Sequence, residues 1–72
     1  MTSRQYEFGV IEWLWDIEQI WIHLPGSGRY EERGGHDKIT EVLTRLGAGG
    51  WDVATCAASG NWLLWTVRRP LG

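Results

Sequence analysis

The sequence predicts an α+β fold: a four-stranded antiparallel sheet in the order ββαββ, with one helix packed on one face. Two patterns carry that prediction. Ile39, Val42, Leu43 and Leu46 stand at i, i+3, i+4 and i+7, a single apolar stripe along about three helical turns. On either side of it, aromatic and β-branched residues alternate with period two, the pattern of strands with a buried face. Pro25-Gly26-Ser27-Gly28, Gly49-Gly50 and Ser59-Gly60-Asn61 supply the reversals between these segments.

The first strand begins with Tyr6, Phe8 and Val10 on one face, and its apolar phase then changes to Ile11, Trp13 and Trp15. A bulge between residues 9 and 12, or a strand apolar on both faces, explains the change. Asp16-Ile17-Glu18-Gln19 interrupts, after which Ile20, Ile22 and Leu24 alternate with Trp21 and His23. The expectation is a hairpin of residues 5–15 against 19–24. A helix competes for this segment, because Trp13, Ile17, Ile20, Trp21 and Leu24 also fit helical spacing; the aromatic and β-branched content favours strands.

Residues 25–36 show no clear period and read as a flexible glycine-rich loop. The helix then spans 37–46, with Asp37 as candidate N-cap and Gly47 as candidate left-handed stop. A third strand sets Trp51, Val53 and Thr55 against Asp52, Ala54 and Cys56. A fourth, residues 62–69, places Leu63, Trp65 and Val67 on one face and Trp62, Leu64 and Thr66 on the other, and Pro70 ends it.

Composition bounds what the protein does. The 72 residues make one small domain, and a net charge of −2 lacks the basic surplus of a dedicated nucleic-acid binder. The aromatic-rich first hairpin carries Glu7, Glu12, Asp16 and Glu18 with no Lys or Arg, which argues further against a strand platform for RNA or DNA. No apolar run approaches the ~20 residues of a membrane span. Residues 1–5 lack the apolar core of a secretory signal, so the expectation is a cytoplasmic protein with no membrane contact. Cys56 stands alone, which fits a reducing compartment; on a strand it reads as a small buried hydrophobe. Arginine outnumbers lysine six to one, a bias of GC-rich bacterial or phage genomes.

Six tryptophans are hard to hide in a chain of this length. A single short helix covers only part of one sheet face, yet the strands are apolar on both. The expected remedy is a homo-oligomer, most simply a C2 dimer joined sheet to sheet or edge to edge.

The segment Leu43-Thr44-Arg45-Leu46-Gly47-Ala48-Gly49-Gly50-Trp51-Asp52-Val53 resembles a small bacterial family classed as domain of unknown function 4177. Members look like a Tyr-x-hydrophobic first strand, a helix ending Leu-Gly-x-x-Gly-Trp, and a closing strand that runs into a basic pair before proline. Tyr6 to Val10 match the opening, Leu46 to Val53 the centre, and Thr66-Val67-Arg68-Arg69-Pro70-Leu71 the end, about half of the chain. The resemblance implies a compact α+β fold and brings no catalytic residues. Residues 13–35 depart from the pattern. The central motif also has a physical reading of its own, in which the glycines end the helix and free the backbone while Trp51 covers the helix end.

Several residues are candidates for chemistry. Arg29, Tyr30 and Arg33 combine forked donors with an aromatic ring, suited to an anionic aromatic ligand such as a nucleotide. Glu31 and Glu32 stand between the arginines and pair with them in the plainer reading. Nothing calls for a cofactor: Gly26-Ser27-Gly28 lacks both the dinucleotide fingerprint and the ending of a phosphate loop, and no ligand spacing marks a metal site. The favoured function is a non-enzymatic module, a homo-oligomer in which Trp13, Trp15, Trp21, Arg29, Tyr30 and Arg33 bind a small ligand or a partner peptide. The alternatives are a small cyclase- or isomerase-like enzyme of a biosynthetic cluster and a phage protein that sequesters a defence ligand. The enzyme would use His23 or His36 as acid–base beside a carboxylate such as Glu12 or Asp37.

Overall fold

The computed structural model describes residues 5–71, which form β1 (Tyr6–Leu14), β2 (Gln19–Leu24), β3 (Gly28–Arg33), α1 (His36–Ala48), β4 (Asp52–Ser59) and β5 (Trp62–Pro70). The class is α+β, with one helix and an antiparallel sheet of five strands rather than four, in the order β3-β2-β1-β5-β4. The added strand is β3, from residues expected to be loop. It pairs with β2 from Gln19↔Arg33 to Leu24↔Gly28. Its sequence conceals it because only Tyr30 is apolar among the residues directed at the helix side.

The first hairpin forms as strands, and β1 takes the centre of the sheet. Pairing with β5 runs unbroken from Tyr6↔Pro70 to Leu14↔Trp62, so β1 has no bulge and is instead apolar on both faces. The apparent change of phase comes from Gly9. Gly9, Ile11 and Trp13 share the buried face, and the missing side chain at Gly9 hides the first half of that alternation. A Cβ there would lie 2.9 Å from the His23 carbonyl oxygen and 2.6 Å from Leu24 Cδ2, so the close passage of β2 requires glycine. The sheet's irregularity lies in β4, between Val53 and Thr55, and it puts these two residues on opposite faces rather than on one.

The helix is longer than its stripe. It begins after Gly35, which makes no side-chain cap, and Asp37 lies within the first turn, where its charge complements the helix dipole. Gly47 is helical. The turn comes at Gly49 and Gly50, the latter with φ +93°, and the Trp51 N–H bonds the Leu46 carbonyl at 3.1 Å. Ile39, Val42 and Leu46 are buried against Ile11, Trp13, Ile20, Ile22 and Val67, with Leu43, Tyr30 and Trp65 packed at the margin. Trp51 is also buried, and the Arg69 guanidinium sits 4.5 Å from its ring centre.

The helix lies toward β2 and β3. Lys38 Nζ is 3.0 Å from Glu32 of β3, and Arg45 also pairs with Glu32. Beyond the helix, all of β4 is exposed, including Cys56, which is therefore not a core residue. Among the described residues, no helix is long and apolar enough to cross a membrane.

Candidate functional site

With α1 on one face, the strand registers fix what the other face presents. Residues directly across a ladder share a face. Val10, Glu12 and Leu14 of β1 therefore lie beside Trp21 and His23 of β2, beside Arg29 and Glu31 of β3, and beside Trp62, Leu64 and Thr66 of β5. This open face is the candidate site. The opposed alternation of Trp62 and Leu64 to Leu63 and Trp65 is the pattern read in the last strand.

Glu12 sits at its centre. Glu12 Oε2 is 2.9 Å from His23 Nε2, and Glu12 Oε1 accepts a hydrogen bond from Trp62 Nε1 at 3.2 Å. One carboxylate thus ties β1 to strands on both sides. The tautomer with hydrogen on Nε2 donates to Glu12 and leaves His23 Nδ1 as an acceptor; the protonated ring offers Nδ1–H as a donor. Trp21 is bracketed by carboxylates, standing opposite Glu12 on one side and Glu31 on the other. The Arg29 guanidinium lies 5.6 Å from the Trp21 ring centre and 3.3 Å from Glu31. Among the described residues, the buried Trp21 Nε1 has no hydrogen-bond partner.

The six residues expected to bind ligand do not form one site. Trp21, Arg29 and Arg33 share the open face. Arg33 is committed there, donating to Gln19 Oε1 at 2.8 Å and to the Ile17 carbonyl at 3.2 Å, which fastens the β1–β2 turn to β3. Trp13 and Tyr30 lie on the helix side. Trp13 is buried, stacked on Trp65 at 6.2 Å between ring centres, and its Nε1 donates to the Gly34 carbonyl at 3.2 Å. Trp15, in the turn after β1, meets Trp13 edge-on at 6.3 Å and is 37% exposed.

The two histidines part in the same way. His23 joins Glu12 on the open face, whereas His36 opens the helix with its ring 5.1 Å from that of Trp13, edge to face. Trp62, absent from the expected set, belongs to the site through its bond to Glu12. Its partner is 50 residues away along the chain. The alternation in β5 is a signal for the face it occupies, but pairing of β5 with β1 had to be known before Trp62 could be joined to Glu12.

The ionisable groups with shifted pKa values lie elsewhere, where the β3 edge meets the helix. Burial raises the Glu32 carboxyl, but hydrogen bonds and charge from Arg45 and Lys38 outweigh it and hold the group below its ordinary value. The same hydrogen bonds raise Lys38 and Arg45. Glu32 is thereby a structural tie between sheet and helix. Compared with protein-family models, curated proteins and solved structures, the chain finds no match in any of the three.

Proposed function

We propose that the protein is a non-enzymatic binding module, acting as a homo-oligomer, whose open sheet face takes a planar small molecule bearing an anionic group. The observation that carries this reading is the placement of His23 and Arg29 at facing positions of β2 and β3, beside Trp21, on a face the helix does not cover. Val10, Leu64 and Trp62 offer an apolar bed for a ring. The Arg29 guanidinium lies over the Trp21 ring and pairs with an exposed carboxylate, Glu31, an exchangeable pair that an incoming anion can replace.

Tryptophan emission reports directly on this face. A nucleotide or aromatic acid that binds should quench or shift the emission and raise the melting temperature, since ligand at ~100 times its dissociation constant stabilises the folded form by ~2.7 kcal/mol. Arg29→Ala should abolish the response with the fold intact. A wild-type protein that responds to no member of a nucleotide and aromatic-acid panel overturns the ligand reading.

The Glu12–His23 contact favours a second reading, an enzyme with His23 as acid–base and Glu12 fixing its tautomer. A substrate whose turnover is lost in both His23→Ala and Glu12→Gln, while it still binds, moves the site to that class.

A further inference from the structure

The two margins of the sheet, β3 and β4, differ in how they meet solvent. β3 carries Arg29, Glu31, Glu32 and Arg33, and the helix grips it through Glu32. Charges of this kind are how an edge strand avoids pairing with another chain. β4 has no such protection after its first residue. From Val53 to Ser59 it holds no charge, proline or glycine, and each of its residues is exposed.

The hairpin shows which backbone groups of β4 are free. Ser59 and Trp62 flank the two-residue turn Gly60-Asn61, so they exchange both hydrogen bonds of a narrow pair. Alternation then gives Ala57 and Thr55 to β5 and directs the N–H and C=O groups of Cys56 and Ala58 outward, away from the sheet.

We propose that β4 is the homo-oligomer interface, with two copies pairing β4 to β4 antiparallel about a two-fold axis at Ala57. This deepens the oligomer part of the reading above and rests on it. In that register Cys56 of each copy exchanges N–H and C=O bonds with Ala58 of the other, and Ala57 faces its own counterpart. Centring on Cys56 instead would bring Ala54, inside the irregularity, opposite Ala58; the Ala57 axis keeps the contact within the regular stretch from Thr55 to Ser59. The side chains point to a second copy rather than a foreign peptide. A sheet edge that selects a peptide uses pockets for alternate side chains. Ala54, Thr55, Ala57 and Ala58 form none, but small residues let two identical strands approach without a clash.

The test uses the whole chain, with mass measured by light scattering across a dilution series. Wild type is dimeric at high concentration. Ala58→Pro removes an outward N–H and leaves the β4–β5 ladder untouched, so it keeps the wild-type circular dichroism and elutes as a monomer. The double variant Cys56→Ala, Ala57→Cys forms an intermolecular disulfide on mild oxidation. Facing residues of a non-hydrogen-bonded pair are ~4.5 Å apart at Cα, inside the ~4.4–6.8 Å that a disulfide spans. Wild-type Cys56 stands diagonal to its counterpart at ~7–8 Å and does not cross-link. If Ala58→Pro fails to fold, Ala57→Lys replaces it, setting like charges opposite each other from an exposed position.

A dimer that survives these edge variants overturns β4 as the interface and leaves the homo-oligomer reading standing. Dissociation by Ala58→Pro without cross-linking at position 57 overturns the register. A wild-type monomer at every concentration overturns both the interface and the homo-oligomer reading.

Discussion

The two ends of the sheet are built from the same kind of ladder and finished in different ways. At the β2–β3 end the helix lies overhead, Ile20 and Ile22 are fully buried, and Glu32 binds two helix cations. At the other end β5 still buries Val67 in the core, and the cover stops before β4. Val53 is 53% exposed and every residue of β4 faces water. A 13-residue helix is too narrow to roof five strands, and the apolar surface concentrates where it reaches. Beyond that reach β4 uses small residues, which leave little apolar surface to cover.

The contrast predicts where substitutions hurt. The largest effect belongs under the helix: Ile22→Ala empties a site with no exposed surface and should destabilise the fold by about 2–5 kcal/mol, read from the midpoint of denaturant unfolding. Gly9→Ala comes next. Its Cβ meets a backbone oxygen that cannot move aside freely, so a loss of about 1–3 kcal/mol is expected in the same measurement.

The Glu32 tie gives a smaller effect with a defined direction. A carboxyl whose folded-state pKa lies below its unfolded value adds stability that is complete above the ordinary 4.5 and disappears as pH falls through the lowered value. Glu32→Gln should therefore flatten the acid side of the stability–pH profile below 4.5 and lower the melting temperature at neutral pH. At the far end Ala54→Ser should change stability by no more than about 0.5 kcal/mol, since Ala54 is exposed and unpaired in the β4–β5 ladder. A large loss from Ala54→Ser, or a small one from Ile22→Ala, breaks the comparison.

What could be read in the sequence follows the same division. The helix face was legible because Ile39, Val42 and Leu46 repeat at helical spacing and all three are buried. β5 was legible because its two faces alternate cleanly from Trp62 onward. β3 was not, because a strand at the sheet margin presents ion pairs where a central strand presents aliphatics, and Glu32 occupies a helix-facing position that periodicity assigns to an apolar residue. The candidate site was half legible. Trp21 and Arg29 of the expected ligand set lie on one face, and His23, expected only as an acid–base candidate beside a carboxylate such as Glu12, lies there with them. Trp13 and Tyr30 were misplaced because residue type alone does not tell which face of a strand a large ring occupies. Register decides that, and the register of β1 was obscured by Gly9.

The order of strands also governs when the sheet can form. Tyr6 pairs with Pro70, and the central strand's second neighbour is the last strand of the described chain. During synthesis β1, β2, β3 and the helix are complete while one flank of β1 still lacks its ladder. Closing that gap joins segments far apart along the chain, a step whose loop entropy slows folding. A nascent or truncated chain missing residues 62–70 therefore exposes the spine of its sheet rather than a margin. Such a chain offers chaperones and proteases the unpaired flank of β1, from Tyr6 to Leu14, that the finished protein never shows.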